Sequence, residues 1–467
     1  MEHIQKLTDS DTADHAHYDK TVKMGTTPVL RLIFSMSLPA MFSMFIQSMY
    51  NIVDSIYVSQ IGMEALTAIS LAFPLQTLMI AVAVGTGVGV NSLVSRRLGE
   101  GRYDEASSAA THGVVLAFFS WIIFAILGVF LTRPFFEMFS DKPIVISMGC
   151  DYVYIVMIFS FGVFIQIVLE KTLQATGNMI YPMFFQLTGA ITNIILDPIL
   201  IFGLYGVPEL GVKGAAIATV IGQIFALIFS IIVVVTKKHS VKISLKGFRF
   251  NGRTIKEIYT VGLPSIIMQS IGSLLVGSLN AILATFSEAA VSVLGVYYKL
   301  QSFVFMPVFG LTQGVMPIMG YNFGARNKKR LLDALKFGCI IASIIMAIGT
   351  AVLMLFPENL LMIFNASDEL IEIGIPALRI ISLCFMGAAL GIMFSTLFQA
   401  LGAGIYSLIV SALRQLVIIL PVAYVLSKAG LIYVWYSFPI AEVVSFIISI
   451  SLFKRLYNLK IKNLGCY

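Results

Sequence analysis

Residues 173–181 read LQATGNMIY, and residues 398–406 read FQALGAGIY. The two stretches share Gln, Ala, Gly, Ile and Tyr, and they lie 225 positions apart. Other pairs at the same offset are Leu38-Pro39 with Leu263-Pro264, Gln76 with Gln301, Gly99 with Gly324, and Gly113 with Gly338. One constant offset over five separated segments indicates that the chain is an internal duplication.

The composition indicates that this duplicated chain lies in a membrane. Of its 467 residues, 58% are hydrophobic and only 12% are charged, whereas soluble domains carry about 25% charged residues. A disordered chain would be poor in apolar and aromatic residues, so disorder is excluded as well. The four cysteines are far apart, which suggests neither a disulfide framework nor a zinc site.

Apolar runs separated by polar and Gly/Pro breakers predict twelve membrane-spanning helices. They fall at about 30–57, 66–94, 107–131, 146–169, 180–204, 213–236, 258–284, 290–318, 336–356, 370–399, 404–427 and 431–453. Each half has six helices, an even number, so both halves have the same orientation and are related by a pseudo-two-fold axis along the membrane normal. We therefore predict an all-α polytopic membrane protein with two six-helix lobes.

The distribution of Lys and Arg predicts the orientation. The tails and loops on one side carry 24 of these residues and the loops on the other side carry 4, so both termini are expected in the cytoplasm. The net charge of +7 is then a topology signal, and no nucleic-acid partner is expected. The predicted divisions are an N-terminal tail (1–27), an N-lobe (28–236), a basic linker (237–257), a C-lobe (258–455) and a C-terminal tail (456–467). The first 25 residues lack an apolar run, so no cleaved signal peptide is expected.

Two lobes of like orientation imply a cleft at membrane depth, where a transporter binds its cargo. The alternative of a duplicated bundle without transport is open at this point. No P-loop, haem motif or catalytic set occurs in the sequence, so we expect neither an enzyme nor a bound cofactor.

The first helix carries a polar stripe on an otherwise apolar surface. Asp54, Asn51, Tyr50 and Gln47 share one face at helical spacing, and Pro39 upstream permits a bend. An ionisable group at membrane depth is costly unless it functions or is paired. We interpret Asp54 as a cation- or proton-binding carboxylate; alternatively, it merely solvates the outer end of the helix.

The fifth helix places Asn193 and Asp197 on one face, before Pro198, and the sixth offers Thr219. Carboxylate, amide and hydroxyl oxygens form a hard-oxygen set suited to a small cation such as Na+. A plain polar tie between two helices is the alternative.

The second half has different charges inside its predicted helices. Lys299, Arg379 and Arg414 would neutralise acids or hold an anionic cargo, and Glu442 would be a second proton site or the partner of Arg414. Glu170, beside Lys171 at the inner end of the fourth helix, is expected to form an interfacial ion pair.

At this stage the chain resembles the multidrug and toxic compound extrusion (MATE) family of cation-coupled antiporters over about residues 28–455. The motifs that carry the resemblance are Pro39…Gln47…Tyr50…Asp54, SRRLGEGRYDEA (95–106), NFGARN (322–327), Asn193…Asp197-Pro198 and GVKGAAIAT (211–219). The resemblance implies a V-shaped pair of lobes that exports amphipathic, often cationic, drugs in exchange for Na+ or H+.

Carried over residue by residue, the resemblance assigns a cation or proton site to Asp54, Asn193, Asp197 and Thr219. Gln47 and Tyr50, with Asn51 on the same face, match positions linked to substrate contact. One branch of the family has acids in helices 7 and 10 of its C-lobe, but here only Glu372 lies near the start of helix 10 and Glu288 lies beyond helix 7. The chain is thus more like the branch that uses N-lobe acids.

The predicted function is secondary active multidrug efflux by alternating access, by a monomer in the plasma membrane that binds small organic molecules. A flippase of lipid-linked oligosaccharide or of another lipid precursor, with the same architecture, is the main alternative. A channel and a membrane enzyme are weaker alternatives, because two unequal lobes make a poor pore ring and no catalytic set is present.

Overall fold

The computed structural model describes residues 23–364 and 367–465. Within these ranges the secondary structure is helical and contains no strand. The helices of the first half are α1 (Val29–Ile61), α2 (Met63–Gly99), α3 (Tyr103–Phe139), α4 (Pro143–Ile158), α5 (Phe161–Ala175), α6 (Ile180–Phe202) and α7 (Val212–Thr236). Those of the second half are α8 (Gly252–Ala284), α9 (Glu288–Gly324), α10 (Lys328–Leu355), α11 (Pro357–Met362), α12 (Asp368–Ser382), α13 (Phe385–Ala400), α14 (Gly404–Ala412), α15 (Leu420–Ser427), α16 (Leu431–Val434) and α17 (Ser437–Leu456).

These helices supply the spans that the sequence predicts. Ten continuous helical segments within the described ranges are long and apolar enough to cross a membrane, and two bent pairs bring the number to twelve. Large apolar side chains such as Phe130, Ile348 and Ile447 are exposed on the outer surfaces of the helices. Such a surface fits contact with lipid and not with water.

Two spans predicted as continuous are bent. The fourth breaks between α4 and α5 with a bend of 46°, and the tenth between α12 and α13 with a bend of 47°. The two breaks lie at equivalent places in the repeat. Near each break a serine hydroxyl donates to a backbone carbonyl three residues earlier, Ser160 to Met157 and Ser382 to Arg379. Such local bonds compete with the helical pattern, and the apolar periodicity does not reveal them.

The third span differs in length from its prediction. The prediction ended it at 131 because Arg133 follows, but α3 continues to Phe139. The Arg133 guanidinium bonds Glu137 one turn later at 2.8 Å. A pair at this spacing supports continued helix beyond the apolar run.

The segment between α7 and α8 is residues 237–251, shorter than the predicted linker. Helix α8 begins early because the Asn251 side chain accepts hydrogen bonds from the backbone N–H groups of Arg253 and Thr254, a typical N-cap. The segment lies along α3, where the Asn251 N–H donates to His112 Nε2 at 2.9 Å.

Contacts between the two halves follow the symmetry of the internal repeat. A Cβ added to Gly99 would collide with the Tyr321 carbonyl, and one added to Gly324 would collide with the Arg96 carbonyl. Gly99 and Gly324 are 225 positions apart, and so are Arg96 and Tyr321. Each contact is therefore the image of the other under the pseudo-two-fold axis, as in an isologous interface.

The halves meet at the ends of the helices that are rich in Lys and Arg. There Ser37 Oγ donates to the Leu311 carbonyl at 3.3 Å, and Arg97 pairs with Glu257 at 2.7 Å. Towards the opposite ends, a Cβ added to Gly272, Gly277 or Gly295 would meet nothing within 4 Å. The contacts between the halves that are described above thus lie at the basic ends, which form the closed end of the cleft.

Candidate functional site

The carboxyl groups of Asp54 and Asp197 lie within hydrogen-bonding range of each other. Asp54 projects from α1 and is half-buried, whereas Asp197 projects from α6 and is 0% exposed. Two carboxylates side by side repel each other strongly in a medium of low dielectric constant. A proton shared between them, or a bound cation, removes this repulsion.

Asn193 holds Asp197 from one turn earlier on α6. In the amide orientation that satisfies both of its ends, the Asn193 nitrogen donates to Asp197 Oδ2 at 2.6 Å. The Asn193 oxygen then accepts from Thr219 of α7, at 3.2 Å from the hydroxyl and 3.1 Å from the backbone N–H. The structure thus brings together all four residues that the resemblance assigns to the cation or proton site. Their role in coupling stays a prediction.

Two tyrosines surround this cluster. The hydroxyls of Tyr50 on α1 and Tyr152 on α4 both lie within hydrogen-bonding range of Thr219, and Tyr152 also reaches Gln76 of α2. Neither Tyr152 nor Gln76 is predicted at the site from the sequence, where Gln76 stands out only as part of the repeat. Tyr152 occurs in an apolar run without a polar stripe, so the sequence gives no signal for it.

The carboxyl pair adjoins a cavity at Asp54. This cavity, of about 270 Å³, lies between α1 and α2, and its other walls include Ser55, Ser70 and Phe73. Asp197 does not line the cavity and is 0% exposed. An ion entering from this cavity would therefore meet Asp54 first.

The other two residues of the polar stripe on α1, Gln47 and Asn51, are more exposed than Asp197. Gln47 is half-buried, two turns nearer the basic end, and Asn51 is exposed. Their predicted contact with substrate stays a prediction. Helix α1 runs through Pro39 without interruption, and the Ser43 hydroxyl donates to the Pro39 carbonyl at 3.0 Å. The predicted bending of α1 at Pro39 likewise stays a prediction.

Glu442 of α17 and Arg414 form an ion pair at 3.4 Å. Arg414 lies in a π-helical turn, residues 413–419, that joins α14 to α15. Glu442 is 6% exposed, and its Oε1 has no hydrogen-bond partner among the described residues. Of the two alternatives for Glu442, this geometry supports the role of partner to Arg414.

The other two basic residues predicted inside the helices of the second half, Lys299 and Arg379, contact groups other than Glu442. The Lys299 ammonium lies 5.6 Å from the centre of the Phe364 ring, a cation–π contact. Arg379 Nε donates to the Met354 carbonyl at 3.3 Å. These contacts support structural roles for both residues.

Glu170 and Lys171 do form the predicted ion pair, at 3.8 Å, but its predicted place at the interface is wrong, because the pair is buried. Glu170 is 3% exposed and Lys171 is 8% exposed. Neighbouring glutamines enclose the carboxylate, which accepts hydrogen bonds from Gln166, Gln174 and Gln186. The hydrogen bonds from these three amides stabilise the buried carboxylate. The Glu-Lys dipeptide alone does not indicate these contacts.

The same network crosses between the halves. Gln313 Oε1 of α9 accepts from Lys171 Nζ and from Gln174 Nε2, each at 3.0 Å. The network therefore belongs to the closed end of the cleft, and any opening of that end must break these two bonds.

Comparison with known proteins gives a consistent identification. The MatE family model matches residues 39–199 and 264–425, one match in each half. The chain is 27% identical over 418 residues to the multidrug export protein MepA of Staphylococcus haemolyticus, covering 89% of this chain and 91% of that protein. It is 26% identical over 402 residues to an FAD transporter of Shewanella oneidensis, covering 85% and 88%.

Among solved structures, the fold is similar to that of a multidrug resistance MATE family transporter of the MOP superfamily in an outward-facing conformation. The TM-score is 0.89 at 28% identity, covering 95% of this chain and 98% of the other. The all-α architecture and the assignment to a transporter family rather than to an enzyme class are thereby confirmed. The chain belongs to the MatE family of membrane transporters.

Proposed function

We propose that this protein is a multidrug efflux transporter that exports amphipathic, cationic organic compounds in exchange for Na+ or H+. The observation that carries the proposal is the Asp54–Asp197 pair, two acids of like charge in contact inside a transporter fold. The relatives that are multidrug export proteins support the cargo class. Their names do not favour a lipid flippase.

The mechanism follows from charge balance in the first half. A proton or cation enters through the cavity at Asp54 and relieves the repulsion between the two carboxylates. The lobes then rock by alternating access, so that the ion is released to the cytoplasm and the drug moves in the opposite sense. Coupling requires that ion and drug have unequal affinities for the two states.

With the Asn193 N–H group facing Asp197, the pair offers its carboxylate oxygens to a proton but offers no amide oxygen to a sodium ion. We therefore take H+ as the first coupling ion to test. A sodium ion would require the amide to turn round and present its oxygen, together with the hydroxyl of Thr219.

We propose that the protein acts as a monomer in the plasma membrane with both termini in the cytoplasm. The basic ends of the helices then face the cytoplasm. In this orientation the open end of the cleft faces outwards, and the network at Gln313 closes the cytoplasmic side.

The test is efflux from proteoliposomes under an imposed pH gradient or an imposed Na+ gradient, with wild type and Asp54→Asn. We expect an organic dye cation to move in wild type under the pH gradient and Asp54→Asn to lose this transport while inserting normally. Wild-type efflux in Asp54→Asn would remove Asp54 from the mechanism. Transport of FAD without transport of any organic cation would contradict the cargo class.

A further inference from the structure

A second, larger cavity lies at the basic end of the first half, away from the carboxyl pair. Its volume is about 690 Å³. It is enclosed by the start of α1, the turn before α6 and the segment that follows α7. The lining residues include Lys23, Ser35, Ile180, Lys237, Lys238 and His239.

The rim of this basic cavity is cationic. Lys23, Lys237 and Lys238 are exposed, and His239 lies beside them. Among the described residues that line the cavity there is no Asp or Glu. The first turn of α6 begins at the same place with its N–H groups, whose partial positive charge adds to that of the lysines. The rim thus selects an anion.

The apolar surface that the cavity presents lies at its edge. Met24 and Met36 line the floor but are 0% and 2% exposed, so they close the cavity without offering surface to a ligand. Ile180, at the edge, is 55% exposed and faces the surroundings of the helix bundle, and Tyr181 beside it is half-buried. A small inorganic anion would leave this edge uncovered, whereas a lipid would cover it with its glycerol and first acyl carbons.

We propose that the basic cavity binds the phosphate headgroup of an anionic phospholipid. The lysines lie where the predicted orientation puts the cytoplasmic headgroup layer, which carries the negative surface potential. Their ammonium groups pair with the phosphate, and the exposed edge at Ile180 accepts the glycerol end of the acyl chains. The proposal concerns lipid binding and does not depend on which ion drives export.

The site lies beside a contact between the two halves. The Met24 carbonyl accepts from Asn322 Nδ2 at 3.1 Å and from Arg330 at 3.0 Å, and the Thr27 carbonyl accepts from Arg330 at 2.7 Å. Asn322 and Arg330 belong to the second half. A lipid paired with Lys23, next to Met24 in the chain, therefore stabilises the segment that holds the halves together at the basic end.

The test measures lipid retained by the full-length protein, without an ion gradient or drug. The protein is purified from nanodiscs of phosphatidylcholine mixed with phosphatidylglycerol, and bound lipid is counted by mass spectrometry. We expect wild type to retain phosphatidylglycerol. The double variant Lys237→Gln/Lys238→Gln is expected to bind it about 30-fold more weakly, from the contribution of two lysines near an anionic surface.

Two variants separate the cavity from general charge. Lys237→Arg/Lys238→Arg keeps the charge and should retain the lipid. Ser35→Trp fills the cavity without changing the charge and should lose it, whereas Ser35→Ala should not.

The matched control is Lys242→Gln/Lys246→Gln, which removes the same charge from the same segment outside the cavity. An equal loss of lipid in this control would overturn the proposal, as would full retention in Lys237→Gln/Lys238→Gln. Competition by soluble glycerol phosphate distinguishes the source of the phosphate. If it displaced the lipid at equal concentration, the site would be one for a free phosphate and the assignment to a lipid would be wrong.

Discussion

The two halves share one arrangement of helices but pair their buried charges in opposite ways. In the first half Asp54 and Asp197 place two acids in contact. In the second half Glu442 faces Arg414, a base, at 3.4 Å. A pair of like charges responds strongly to a proton or cation, whereas a pair of opposite charges is already compensated. The comparison therefore supports the proposal that ion coupling takes place in the first half, and it predicts a structural role for the buried pair of the second.

The largest effect is expected from Asp197→Asn. This change removes the repulsion that an ion must relieve, so ion-driven export should fall about 100-fold, towards the upper range of coupling free energies between sites. Efflux under a pH gradient in proteoliposomes measures it. The control is Asp151→Asn, an acid of the same half that pairs with Lys213 at 3.2 Å near the surface and should transport normally. Equal losses in both variants would contradict a specific role for Asp197.

The second half should show its largest effect in stability. Arg414→Met leaves Glu442 buried without its partner, which should lower the free energy of unfolding by about 3–5 kcal/mol. The double variant Arg414→Met/Glu442→Leu should recover most of that loss, since no charge remains. Denaturant unfolding in detergent measures both.

Transport by Glu442→Gln tests whether Glu442 has only a structural role. We expect ion-driven export to persist in this variant. If it were lost in protein that folds normally, Glu442 would be a second proton site and the contrast between the halves would be wrong.

The symmetric glycines should respond alike. Gly99→Ala and Gly324→Ala each force a methyl group against a backbone carbonyl of the other half, at an expected cost of about 1–3 kcal/mol to the closed basic end. Distances between spin labels at the outer ends of the lobes report the shift. Gly277→Ala, which meets open space, should leave them unchanged. Unequal shifts for the two glycines would break the symmetry argument.

The smallest effect is expected at the network that joins the halves. Gln313→Leu removes the acceptor for Lys171 and Gln174, which keep their other bonds to Gln174 and Glu170. The two lost bonds, at about 0.5 kcal/mol each, should shift the population of the closed end about fivefold. The same spin-label distances measure this shift. Gln415→Leu is the control, because its bond to Ser411 at 2.8 Å lies within one half. A population unchanged by Gln313→Leu would exclude the network from the closed end.

Much of the candidate site could be predicted from local sequence patterns. Asn193 and Asp197 lie one turn apart on one helix, and the stripe from Gln47 to Asp54 follows helical spacing. Tyr152 and Gln76 could not be found in this way. Their contribution depends on how α2 and α4 pack against α7, and no spacing along the chain encodes that packing.

The membrane environment, the twelve spans and the duplication follow from the amino-acid order alone, because hydropathy and a constant offset are properties of the chain read in order. The tertiary structure sets which charges meet. It brought Asp54 to Asp197, paired Glu442 with Arg414, and buried Glu170 among glutamines from its own helix and from α6. The physical reason is that the energy of a buried charge depends on distances of a few ångströms between helices, which are set by packing and not by order along the chain.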